Sequence, residues 1–133
     1  MACPGERRTI ERMASSTGCG NLDDRARDLH LRMGVGMLSV GLLAAAVMHH
    51  LRWSGAASLA LSPIFFVAVY GLAAGFGGTC ILNAISGKRR GTSGAEPIAD
   101  RQELAAVRRR GASITGASLV IAVAACALLA FAR

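Results

Sequence analysis

Three stretches of this chain, residues 33–51, 53–87 and 111–132, contain no Asp, Glu, Lys or Arg. They are 19, 35 and 22 residues long. A helix on the surface of a water-soluble domain keeps charged and polar residues on its outer face, and these windows offer no charge to put there. A helix crossing about 30 Å of hydrocarbon instead needs roughly 20 apolar residues in a row. The pattern therefore reads as a multi-span integral membrane protein. With 53% apolar and 17% charged residues, the chain does not fit a disordered segment. Its four cysteines, Cys3, Cys19, Cys80 and Cys126, show neither a C-x-x-C spacing nor a disulfide framework. Cys80 and Cys126 fall in the apolar windows, where they read as small packing residues.

The first span is placed at 33–51, between Arg32 and Arg52, and the third at 111–132, directly after Arg108, Arg109 and Arg110. The middle window is too long for one simple crossing. From Trp53 to Leu82 it would run about 45 Å as a straight helix. The crossing is placed at 56–76, with Trp53 at the outer interface, where an amphipathic ring is favoured. Pro63 should kink this helix or loosen one turn. Gly75, Gly77 and Gly78 give up helix propensity together and predict a break. Residues 79–86 then form a short apolar interfacial segment, or the helix tilts and continues.

Arginine and lysine positions set the expected orientation. Arg7, Arg8, Arg12, Arg25, Arg27 and Arg32 precede the first span. Lys88, Arg89, Arg90, Arg101, Arg108, Arg109 and Arg110 lie in the loop 88–110, leaving Arg52 and Arg133 for the opposite side. Thirteen against two predicts a cytoplasmic N-terminus and loop, and a periplasmic C-terminus. The net charge of +7 then reads as topology and headgroup contact by Arg32, Lys88, Arg89, Arg90, Arg108, Arg109 and Arg110. Nucleic acid is not expected as a partner, because no aromatic residues interleave with the arginines. Fourteen of the 15 basic residues are Arg, which, with abundant Ala and Gly, associates with a GC-rich bacterial genome and hence an inner membrane.

Residues 1–32 carry charge without an apolar core, so they do not read as a secretory signal. Residues 1–20 are expected to be a mobile basic segment, followed by a single membrane domain over 21–133. Asn21 is a candidate N-cap, with Asp23 and Asp24 favouring the first turn. Leu22, Ala26, Leu29 and Met33 recur at helical spacing, and Asp28 can pair with Arg32. A juxtamembrane helix from about Leu22 could run straight into the first span. In the loop, Gly91, Thr92, Ser93 and Gly94 read as flexible, and Pro97 opens a short amphipathic helix reaching Arg109. The expected fold is all-α: three transmembrane helices, a cytoplasmic juxtamembrane helix and a short loop helix.

Gly71 and Gly75 form a GxxxG pair within a span, and Gly41 and Ala45 a weaker one. Small residues at this spacing let helices approach closely. Ser118, Ala122, Cys126 and Ala130 extend a small-residue ridge in the third span. Packing within one chain, self-association, or docking on another membrane subunit would each use such faces. His49 and His50 are adjacent, so on a helix they point about 100° apart and suit an interface better than one metal. The spans hold no ionisable Asp, Glu, Lys or Arg of the kind that marks proton relays. Walker, G-x-S-x-G and H-E-x-x-H motifs are missing, so no enzyme and no cofactor are expected.

Asp28, Arg32 and Gly36, followed by a leucine-rich span, resemble the start of the first span in the YgaP-like transmembrane domain family of small bacterial membrane proteins. Gly77, Gly78 and Cys80 resemble that family's Cys-Pro after glycines, with Ile81 where Pro is typical and Leu29 where a second basic residue is typical. The resemblance covers about 21–87 and omits the third span. It implies a dimerising membrane module, associated in some members with sulfur chemistry, with Cys80 as the candidate reactive thiol. The expected function is a non-catalytic oligomeric or accessory subunit of a larger membrane complex. The alternative is a small-solute transporter or channel component using Cys80 or the glycines at 75–78.

Overall fold

The computed structural model describes residues 21–91 and 94–131. The elements are α1 (Asp24–His50), a 3-10 segment (Gly55–Leu61), α2 (Ser62–Gly77), α3 (Ile81–Ile85), strands β1 (Lys88–Gly91) and β2 (Gly94–Pro97), and α4 (Arg101–Phe131). The expected mobile segment 1–20, with Cys3 and Cys19, lies outside the described residues, as do Thr92, Ser93 and the last two positions. Among the described residues three helices are long and apolar enough to cross a membrane: Asp24–His50, Gly55–Gly77 and Arg101–Phe131.

α1 starts where Asp23, not the expected Asn21, accepts the backbone N–H of Ala26 at 2.9 Å. It then runs unbroken through the juxtamembrane stretch and the first span. Its buried residues are Ala26, Gly34, Gly41 and Met48. Their near-heptad spacing is that of a narrow stripe along a neighbouring helix. Leu29 and Met33, expected on one stripe with Leu22 and Ala26, are exposed. Asp28 and Arg32 do pair, at 2.9 Å. The helix ends with Arg52 in the left-handed region (φ 52). The N–H of Arg52 donates to His49 and that of Trp53 to Met48, which closes the last turn as a Schellman cap.

Pro63 does not kink a helix. It lies in the first turn of α2, where its missing N–H costs nothing. The turn before it is loosened to 3-10 geometry. The Leu59 carbonyl, which Pro63 cannot reach with a donor, accepts both the N–H and, at 2.7 Å, the hydroxyl of Ser62. The expected break at the glycines is present. α2 stops at Gly77, Gly78 takes φ 62, and the separate α3 follows.

The loop departs from the all-α expectation. β1 and β2 form an antiparallel hairpin with Lys88 opposite Pro97 and Arg89 opposite Glu96. Pro97 ends a strand rather than opening a helix, a place where strands tolerate it. Asp100 takes the capping role instead, its carboxylate accepting the N–H of Gln102 at 2.9 Å. The expected short loop helix and third span are one helix: α4 has 31 residues, about 46 Å. Gly111 does not interrupt it, because the glycine lies against Ile81 and Ala84 of α3.

α2 lies between α1 and α4, which pack on α2 and scarcely on each other. One core cluster joins Met48, Leu61, Phe65, Ala122 and Cys126. A second, at the other end of the bundle, joins Leu22, Ala26 and Cys80. Elsewhere the outer helices turn Val35, Val40, Leu43, Leu119, Val120 and Leu128 outward, as lipid-facing helices do.

Candidate functional site

The glycines singled out in the sequence lie on the contact between α1 and α2. A β-carbon on Gly71 would fall 2.9 Å from the Cα of Gly34, and one on Gly34 would fall 2.7 Å from the backbone nitrogen of Leu72. Here backbone meets backbone, so neither position has room for a side chain. Gly75 faces the Leu31 side chain, where a β-carbon would lie 2.6 Å from Cγ. Gly41 has 3.3 Å to Ile64 and Phe65, a looser fit. Ala45 borders the cluster of Met48 and Phe65. Gly71, Gly75 and Gly41 thus face this chain's own helices. In α4 the ridge Ser118, Ala122 and Cys126 is buried as well. Gly34 was missed by sequence reasoning, although its seven-residue distance from Gly41 marks the same face.

Cys80 lies at the break between α2 and α3. It is buried, and the Tyr70 hydroxyl donates to its sulfur at 3.7 Å. The same hydroxyl accepts the N–H of Ile81 at 3.0 Å. Asn21, fully buried, clamps the Cys80 backbone: its Oδ1 accepts the Cys80 N–H at 2.7 Å and its Nδ2 donates to the Cys80 carbonyl at 2.9 Å. The backbone N–H groups of Asn21 and Leu22 both donate to the Gly78 carbonyl. No sequence signal pointed to Asn21 in this role, since its partner is far along the chain. Arg27 completes the junction. Its Nε donates to the Gly75 carbonyl at 3.2 Å and its guanidinium to Phe76 at 3.4 Å, covering carbonyls that the end of α2 leaves open.

The basic residues divide into two groups. Arg108 caps α3, donating to Ala84 at 3.2 Å and Ile85 at 3.0 Å. Arg89 pairs with Glu103, tying the hairpin to α4, and Arg32 pairs with Asp28. Lys88, Arg109 and Arg110 are exposed, and Arg90 takes its place in β1 opposite Ala95. The start of α1, the end of α2, α3, the hairpin and the start of α4 share one end of the bundle. Gly55 meets the Ala130 carbonyl at the other end. His49 and His50 are exposed there, in the last turn of α1. His30 donates from Nδ1 to the Ala26 carbonyl at 2.8 Å. Among the described residues, no three His, Cys, Asp or Glu side chains gather as a metal ion would require.

These features define a small helical bundle whose three long helices are apolar enough to span a membrane, with a polar junction at its basic end. Comparison with family models, with curated proteins and with solved structures gave no match.

Proposed function

We propose that this chain is a non-catalytic protein of the bacterial inner membrane that works as an oligomeric or accessory subunit of a larger membrane complex. The observation that carries this reading is the outward apolar surface of α1 and α4 on either side of a covered α2. Such surfaces suit lipid and the helices of neighbouring subunits. The burial of Cys80 beneath Tyr70 and Asn21 favours a structural thiol over a sulfur-handling one. The N-terminus and the hairpin lie in the cytoplasm on this reading, and the C-terminus in the periplasm. The support is that, among the described residues, every Lys and Arg but Arg52 belongs to the elements at one end of the bundle.

Two experiments test the proposal. The tagged chain, extracted in mild detergent and sized by light scattering, should run well above its 13.7 kDa or bring membrane subunits with it. A monodisperse monomer without companions overturns the subunit reading. Alkaline phosphatase fused after Arg133 should be active, and fused after Gly94 inactive. The reverse pattern overturns the orientation.

A further inference from the structure

Seven residues of the basic end were expected to meet headgroups, but the structure leaves only some of them free to do so. Arg108 is spent on the carbonyls of α3, Arg89 on Glu103 and Arg32 on Asp28. Arg109 and Arg110 are exposed, and among the described residues their guanidinium groups have no hydrogen-bond or ion-pair partner. They follow Arg108 on α4 and precede Gly111, whose backbone abuts Ile81 and Ala84. The two arginines are therefore level with α3.

α3 itself turns apolar side chains outward at this level, with Leu82 70% and Ile85 63% exposed. A water-facing surface would not favour two such residues on a five-residue helix, whereas the boundary of a bilayer does. Beyond Gly111, α4 runs to Phe131 without a charge, over about 30 Å, the thickness of the hydrocarbon. The guanidinium groups of Arg109 and Arg110 and the outward apolar side chains of α3 thus share one level of the bundle, where a bilayer spanned by α4 would present its phosphates and first acyl carbons. Guanidinium presents a planar fork of donors that matches phosphate oxygens.

We infer that Arg109 and Arg110, at the level where Leu82 and Ile85 turn outward, contact anionic phospholipids in the leaflet at the basic end of the bundle. Net negative headgroups are selected over zwitterionic ones because neither arginine has an internal counter-charge. This inference rests on membrane insertion of the three spans, and not on the subunit role.

The test uses the full chain in phosphatidylcholine vesicles with trace spin-labelled phosphatidylglycerol or spin-labelled phosphatidylcholine. The motionally restricted fraction of each label gives the lipid preference of the protein surface. Wild type should restrict phosphatidylglycerol more strongly, and high salt should reduce the difference. Each arginine at the surface contributes about five-fold, so Arg109→Gln/Arg110→Gln should remove most of the preference, leaving only what exposed Lys88 supplies. Arg109→Lys/Arg110→Lys should retain most of it. Arg101→Gln, about 12 Å farther along the helix, should change it little. Equal restriction of both labels by wild type overturns the inference, as does a preference that survives the glutamine pair largely intact or falls equally with Arg101→Gln. Restriction of neither label would show that the spans are not in the bilayer, overturning insertion and this inference together.

Discussion

The side-chain amide of Asn21 and the backbone of Cys80 exchange two hydrogen bonds across 59 residues of chain. Asn21 is fully buried, so water cannot replace either bond. The Cys80 carbonyl also accepts the N–H of Ala84, whereas the Cys80 N–H has Asn21 alone.

Removal of the amide should therefore cost more than an ordinary hydrogen bond. Asn21→Ala leaves the Cys80 N–H buried and unpaired, a loss of about 2 kcal/mol or more. Asn21→Asp keeps the acceptor but sets a carboxylate oxygen where Nδ2 faces the Cys80 carbonyl, so it should destabilise as well. Thermal unfolding in detergent, followed by circular dichroism, checks both. A melting point unchanged in Asn21→Ala would mean that the clamp contributes nothing.

Glycine positions on α1 and α2 should respond oppositely to the same substitution. Gly71→Ala drives a β-carbon to 2.9 Å from the Gly34 backbone, and the helices must separate, with a loss of at least about 1 kcal/mol. Gly71→Leu should be worse. Gly36 faces open space, and Gly36→Ala should be neutral or stabilising by up to about 1 kcal/mol through helix propensity. Unfolding of the reconstituted chain in sodium dodecyl sulfate ranks the three. Equal effects at positions 36 and 71 would refute the close contact.

Arg52 holds a left-handed conformation that side chains resist. Arg52→Gly should relieve this strain and stabilise the end of α1 by about 1 kcal/mol. It also strengthens the asymmetry of charge between the two ends. A lowered melting temperature would show that the Arg52 side chain contributes more than its backbone costs.

Cys80 should react slowly. In a variant with Cys3, Cys19 and Cys126 replaced, maleimide labelling of the folded protein should be about ten-fold or more slower than after denaturation, as expected of a buried thiol. Tyr70→Phe removes the hydroxyl from both the sulfur and the Ile81 N–H, and labelling should accelerate. Rapid labelling of the folded parent would return Cys80 to the role of reactive thiol.

The three long helices were readable because their length and composition are local signals. Charge-free windows of bilayer length gave three helices, and Gly77 and Gly78 marked where the second would stop. Pro63 and Pro97 were harder. A proline limits its own φ and lacks a donor, but whether it kinks, starts a helix or ends a strand depends on its neighbours. The hairpin escaped notice because four-residue strands such as Lys88–Gly91 have no apolar alternation to reveal them. The arginines were legible as a charge count and not as individuals. Arg27 and Arg108 find their carbonyl partners only once α2 and α3 have ended beside them, which is a fact of tertiary position.

The central place of α2 has a consequence for how the molecule comes to be made. α1 and α2 are adjacent in the chain, and their glycine contact, the Arg27 cap and the Asn21 clamp need nothing beyond Cys80. A nascent chain released that far already contains every residue of a finished helical hairpin. α4 emerges later and finds a preformed α2 surface to join, with scarcely any contact to α1 to wait for. Synthesis in order from the N-terminus thus delivers the long helices in the sequence in which they can associate, and none must wait for a partner two helices further along the chain.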